Sequence, residues 1–131
     1  MRYETEYDED NWPIVVVRLP AIPLSDEEFR AHLSRLTAYY SRGCSFGMVI
    51  DMSESPPMPA SQRRLLGDYI DSNTEKFPQI KCPTAVVVTG DIQRAVLQVI
   101  GWLTRTSHRS HPCMSVEGGI AWVRNSLQIR T

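Results

Sequence analysis

A chain of 131 residues with a formal charge of −1 is long enough to bury one self-sufficient core, so it reads as a single domain, and its near-neutral balance gives no overall pull toward nucleic acid or anionic lipid. No apolar run approaches the ~20 residues that a membrane helix needs, and the acidic opening, with Glu4, Glu6, Asp8, Glu9 and Asp10, lacks the basic segment and apolar core of a secretory signal. Cys44, Cys82 and Cys113 form no close-spaced pair, which argues against a disulfide framework and for a reducing cytoplasm.

Along Tyr3–Asp8 the tyrosines and Thr5 alternate with acids, as in an edge strand with one wet face. Turn formers at Glu9, Asp10 and Asn11 then lead to Trp12–Leu19, whose β-branched Ile14-Val15-Val16-Val17 centre favours a strand. The two segments predict an antiparallel hairpin. Pro20 and Pro23 end it, and Ser25 with Glu28 has capping-box spacing, opening a helix over 26–42 with Phe29, Leu33, Leu36 and Tyr40 inward and Gly43 as its stop.

Phe46-Gly47-Met48-Val49-Ile50 is an unbroken apolar run of strand length, which suits a strand covered on both faces. It exits through Asp51-Met52-Ser53 into a loop stiffened by Pro56, Pro57 and Pro59. The next helix opens near Ser61 and closes before Pro78, with Leu65, Leu66, Tyr69 and Ile70 on one side and Arg63, Arg64, Asp68 and Asp71 on the other. A second buried strand over Thr84–Thr89 precedes Gly90-Asp91, and Asp91 is a natural N-cap for a helix burying Ile92, Ala95, Val96, Val99, Trp102 and Leu103. Residues 104–112 read as a polar loop and Cys113–Val116 as a short strand. A last helix begins near Val116 and carries Ile120, Val123 and Leu127, with Gly118-Gly119 weakening its first turn. Right-handed crossovers then give an α/β fold with a mixed four- to five-stranded sheet, an N-terminal antiparallel hairpin and about four helices.

Three segments resemble the STAS superfamily, particularly its divergent SpoIIAA-like branch. Val49-Ile50-Asp51-Met52-Ser53 is similar to the family's apolar strand ending in an acid and a hydroxyl. Ala85-Val86-Val87-Val88 followed by a helix resembles its next crossover. Ser115-Val116-Glu117-Gly118-Gly119-Ile120-Ala121-Trp122-Val123 looks like the closing helix of the divergent branch. The resemblance implies a non-enzymatic regulatory or scaffolding module with a protein partner such as a regulator, a kinase or a sigma or anti-sigma-type factor, without a cofactor, and it leaves a homodimer open. In phosphoregulated members an aspartate-serine-serine-glycine-leucine turn opens the second helix, and its second serine is modified. Counted without gaps from Asp51, that place falls on Ser61, although Pro59-Ala60-Ser61-Gln62-Arg63 keeps only the hydroxyl.

The loops leaving strand ends are where α/β sheets meet ligands and partners. Asp51, Ser53, Pro57, Met58, Ser61, Arg63 and Arg64 therefore form the expected contact surface, with Ser61 as its switch or, more simply, as the N-cap of its helix. Thr89, Asp91 and Arg94, with Arg63, Arg64, Arg105 and Arg109, make a candidate anion-binding face near the strand ends or, more simply, a solvated helix surface. His108, His111 and Cys113 have a spacing open to a metal but lack a fourth ligand, so no metal is expected. Cys113, close to both histidines, is the one candidate reactive thiol, whereas Cys44 and Cys82 read as small buried hydrophobes. Trp102 and Trp122 read as core and Trp12 as an exposed interface residue. No paired base and nucleophile or phosphate loop is present. The competing class is a small-molecule binder, with an apolar pocket between sheet and helices that holds a lipid-like or nucleotide-like molecule and arginines reading its anionic part.

Overall fold

A computed structural model describes residues 2–88, 90 and 111–127. Its strands are β1 (Glu6–Asn11), β2 (Ile14–Arg18), β3 (Gly47–Asp51), β4 (Thr84–Val87) and β5 (His111–Cys113), and its helices are α1 (Asp26–Tyr40), α2 (Ala60–Lys76) and α3 (Val116–Ser126). The sheet order is β1-β2-β3-β4-β5, with β1 antiparallel to β2 and the remaining pairs parallel. The described residues thus hold a five-stranded mixed sheet and three helices rather than about four. The helix expected from Asp91 lies outside them, as does the expected polar loop as far as Ser110.

Period-two alternation decides what each face of the sheet buries. Val15, Val17, Met48 and Val86 face α1 and α2, with Leu19, Phe29, Leu33, Leu36, Tyr40 and Phe46 filling the layer. Ile14, Val16, Val49, Ala85 and Val87 face α3, which supplies Val123 and the partly buried Val116 and Ile120. Two crossovers of one hand that each advance one strand in the same direction put α1 and α2 on the same face, where they pack against each other.

The two faces are packed to different depths. On the α3 side the backbones approach closely, because Gly47 and Gly119 sit in the contact: a Cβ on Gly47 would collide with Val123 Cγ1, and one on Gly119 would lie 2.8 Å from Val49 Cγ1. Gly119 is therefore a close-approach residue and not merely a weak first turn. The α1–α2 pair stands off its face of the sheet, and long side chains fill the interval.

Several boundaries depart from the sequence reading. β1 starts at Glu6, after a bend at Glu4, and runs through the expected turn to Asn11. The turn falls on Trp12 and Pro13, joined by a cis peptide bond. Trp12 is held there by Phe46, stacked at 5.9 Å, by Tyr39 at 5.8 Å and by the Arg42 guanidinium 4.2 Å over its ring. It anchors the hairpin to α1 instead of standing free for a partner. The capping box of α1 is formed, with Glu28 N donating to Ser25 Oγ and Ser25 N to Glu28 Oε1, and Gly43 takes φ +80° beyond the helix end. α2 buries Gln62, Asp71 and Asn73, so Asp71 does not lie on the solvent side. A helix lodged between a sheet and a second helix is covered on more than one stripe.

Candidate functional site

The rim at the carboxyl ends of β2, β3 and β4 is laced together by backbone. Leu19 N donates to Asp51 O, Met52 N to Val87 O and Val88 N to Cys113 O, at 3.0 to 3.1 Å. Asp51 closes β3 and is 6% exposed. Its Oδ1 accepts from Ser53 N at 3.0 Å, and its Oδ2 faces Arg2 Nη2 at 3.3 Å. Burial pushes the carboxyl pKa up, but the Ser53 hydrogen bonds and the Arg2 charge outweigh it and hold Asp51 below the usual carboxylate range. Arg2 also meets Glu54 Oε2 at 2.7 Å and donates to Leu19 O at 3.3 Å. Asp51 therefore serves the rim as an internal tie, and the face it was expected to offer a partner is turned inward.

Ser53 is half-buried, and past it Pro57, Pro59, Ala60 and Ser61 are exposed. The half-buried Met58 instead reaches toward the core layer. Arg63 Nη1 donates to Met58 O at 2.7 Å, so this guanidinium secures the loop, while Arg64 is exposed. The N-cap of α2 is Pro59, which makes no side-chain cap. Ser61 lies one residue inside the helix, and its Oγ donates to Asp26 Oδ1 at 3.1 Å. Gln62 Nε2 reaches the same Asp26 oxygen at 3.2 Å and Leu24 O at 2.7 Å. The first turns of α1 and α2 are thereby tied together. Beside that tie, Pro20, Ile22, Pro23, Pro56, Pro57 and Met58 line a groove of about 60 Å³.

A larger cavity of about 80 Å³ lies between the sheet and the α1–α2 pair, lined by Phe29, His32, Leu36, Tyr40, Met48, Ile50, Met52, Met58, Leu66, Tyr69, Thr84 and Val86 among others. Burial lowers the His32 pKa to about 4, and His32 Nδ1 lies 2.6 Å from the Tyr7 hydroxyl. The Tyr69 hydroxyl is buried and, among the described residues, no group meets it at full hydrogen-bonding geometry, although the Tyr40 hydroxyl lies near enough to interact with it. Burial, with the Cys82 thiol nearby, raises the Tyr69 pKa, and burial pushes the Cys82 thiol up to about 11. The inward helical stripe had already placed Tyr69 in the interior. His32 was legible on the same principle, three residues after Phe29 and four before Leu36, but a polar residue on an apolar stripe is easily passed over.

The remaining candidates separate. His111 stacks on Trp122 at 4.4 Å and 2°, so Trp122 is only partly buried at the β5 edge, not enclosed in the core. Cys113 is half-buried, and burial raises its thiol pKa, the direction opposite to a reactive thiolate. Among the described residues no three metal-ligating side chains cluster; His108 lies outside them. Cys44 is exposed rather than buried. Thr89, Asp91, Arg94, Arg105 and Arg109 of the expected anion-binding face lie outside the described residues. No helix among the described residues is long and apolar enough to cross a membrane. No protein-family model matches the chain, and no curated protein matches it.

Proposed function

We propose that this is a STAS-like, non-enzymatic regulatory module of the cytoplasm that recognises a protein partner through the rim from Ser53 to Arg64, with Ser61 as its switch. The observation that carries this reading is the exposed Ser61 hydroxyl donating to Asp26 across the first turns of two helices. Phosphate on Ser61 would exchange that hydrogen bond for repulsion from Asp26, while the two helix N-termini would attract it. The tie between α1 and α2 would open next to the proline-lined groove. A regulator, kinase or sigma-type partner reads such a change directly. Mass spectrometry of the protein from its native cell should find phosphate on Ser61, and Ser61→Asp should alter partner capture where Ser61→Ala does not. Unmodified Ser61 together with unchanged capture by Ser61→Asp would reject the switch.

A second reading, a small-molecule binding domain, is supported by the cavity between the sheet and the helix pair. Among the described residues its lining contains no arginine or lysine, which favours an uncharged ligand at this part of the wall, while Arg94, Arg105 and Arg109 lie outside the described residues.

A further inference from the structure

The void on the α1–α2 side reaches the middle of the sheet. Ile50, in the central strand, is half-buried although its neighbour Val49 is fully enclosed, because the helix pair stands off the strands that α3 covers closely on the other face. The lining is apolar almost throughout, and three of its members, Met48, Met52 and Met58, are flexible thioethers that adapt to an occupant. None of the described lining residues carries a permanent charge. His32, with its pKa near 4, is neutral at neutral pH. An ionised ligand would give up its hydration without gaining a counter-charge, a transfer that costs far more than apolar contact returns.

Water is a poor occupant for the same reason, since a buried water needs two to four polar partners. Among the described residues one polar group in the wall still lacks a well-formed hydrogen bond, the buried Tyr69 hydroxyl, whose polar neighbour Tyr40 does not reach hydrogen-bonding geometry. An unused buried donor is destabilising, and an occupant that supplies an acceptor recovers part of that loss. Resting on the small-ligand reading, we propose that the cavity takes a small, uncharged, mainly apolar molecule bearing one hydrogen-bond acceptor, such as a short ketone, whose oxygen receives the Tyr69 proton. At about 80 Å³ the space is about half the ~150 Å³ of an apolar cavity known to hold benzene, which sets the size at a few heavy atoms.

The test uses the full chain with methyl-labelled methionine, following Met48, Met52 and Met58 by NMR at neutral pH. It compares butanone, its hydrocarbon counterpart 2-methyl-1-butene, and butanoate. Butanone should shift these methyls and bind more tightly than either competitor, and Tyr69→Phe should weaken butanone about three- to tenfold, the factor of one hydrogen bond, while leaving the hydrocarbon unchanged. Equal binding of butanone to the wild type and Tyr69→Phe would overturn the assigned contact yet leave small-ligand binding standing. Tighter binding of butanoate would overturn the neutrality. If none of the three moves the methionine methyls, small-ligand binding itself falls.

Discussion

His32 on α1 and Tyr69 on α2 line the same cavity, and each carries a polar group in an apolar layer with a different outcome. In the Nε2–H tautomer, the Tyr7 hydroxyl donates to His32 Nδ1, and the burial that lowers the ring from 6.5 to about 4 keeps it neutral. As pH falls below 6.5 the unfolded chain takes up a proton that the folded ring refuses, so stability should decline from about pH 6.5 to about pH 4 and level off below. The full loss is roughly 3 kcal/mol. Urea unfolding at stepped pH checks this, and His32→Leu should flatten the curve across that window. Asp51 acts lower: its depressed pKa gives stability that is present above the unfolded value and lost as pH falls through the folded one. Tyr69→Phe removes an oxygen that has no well-formed hydrogen bond among the described residues, so the urea midpoint should hold or rise, whereas Tyr7→Phe should cost about 1 kcal/mol by breaking a made hydrogen bond. A midpoint that drops equally in both would contradict the assignment. None of these pairings could be read from the chain, because Tyr7 and His32 are 25 residues apart in sequence and periodicity reports which way a side chain points but not what it meets.

At the scale of elements, α3 depends on the absence of a side chain. An added methyl at Gly119 would stand 2.8 Å from Val49 Cγ1, 3.2 Å from Cys113 Sγ and 3.4 Å from Ala85 Cβ, and Val49 has no room to retreat. Gly119→Ala should therefore destabilise by about 1–3 kcal/mol, in spite of the helix propensity it gains of up to ~1 kcal/mol. Thermal unfolding of the variant gives the sign. A rise in midpoint would mean that α3 can slide away from the sheet. The capping box of α1 and the apolar runs of β2 and β3 were legible because the signals are local: a hydroxyl and a carboxylate three residues apart, or four β-branched residues in a row. The end of β1 was not, since the turn at Trp12 is fixed by Phe46 and Tyr39, which enter the chain much later. Likewise the candidate rim could be located from the strand ends, but not the inward role of Asp51, which needs Arg2, or that of Arg63, which needs the loop carbonyl of Met58.

Across the described residues the molecule is a sheet with one close-packed side and one side holding a void. Pressure acts on such an imbalance, because it favours states that eliminate internal empty volume. Under rising pressure, NMR signals of Met48, Ile50 and Val86, which border the cavity, should curve away first. Those of Ile14, Val49 and Val123, which pack beneath α3, should respond linearly for longer. A uniform response across both faces would mean that the void is closed in solution. The unbroken apolar run along β3 foretold two covered faces. It could not foretell their unequal depth, which depends on what each helix brings to the contact, glycine on one side and rings and leucines on the other.

Arg2 bonds to the end of β3 through Asp51, and its carbonyl receives the Ala21 amide at 2.8 Å. Whatever is joined ahead of it emerges beside Glu54, at the start of the loop that follows β3. A purification handle or fluorescent fusion placed there would crowd Glu54 and the start of the proposed contact surface at Ser53, and a partner lost to that crowding would be mistaken for a failure to recognise anything. Interaction screens on this protein should carry their label elsewhere, and the same bait labelled at Arg2 becomes a useful negative control.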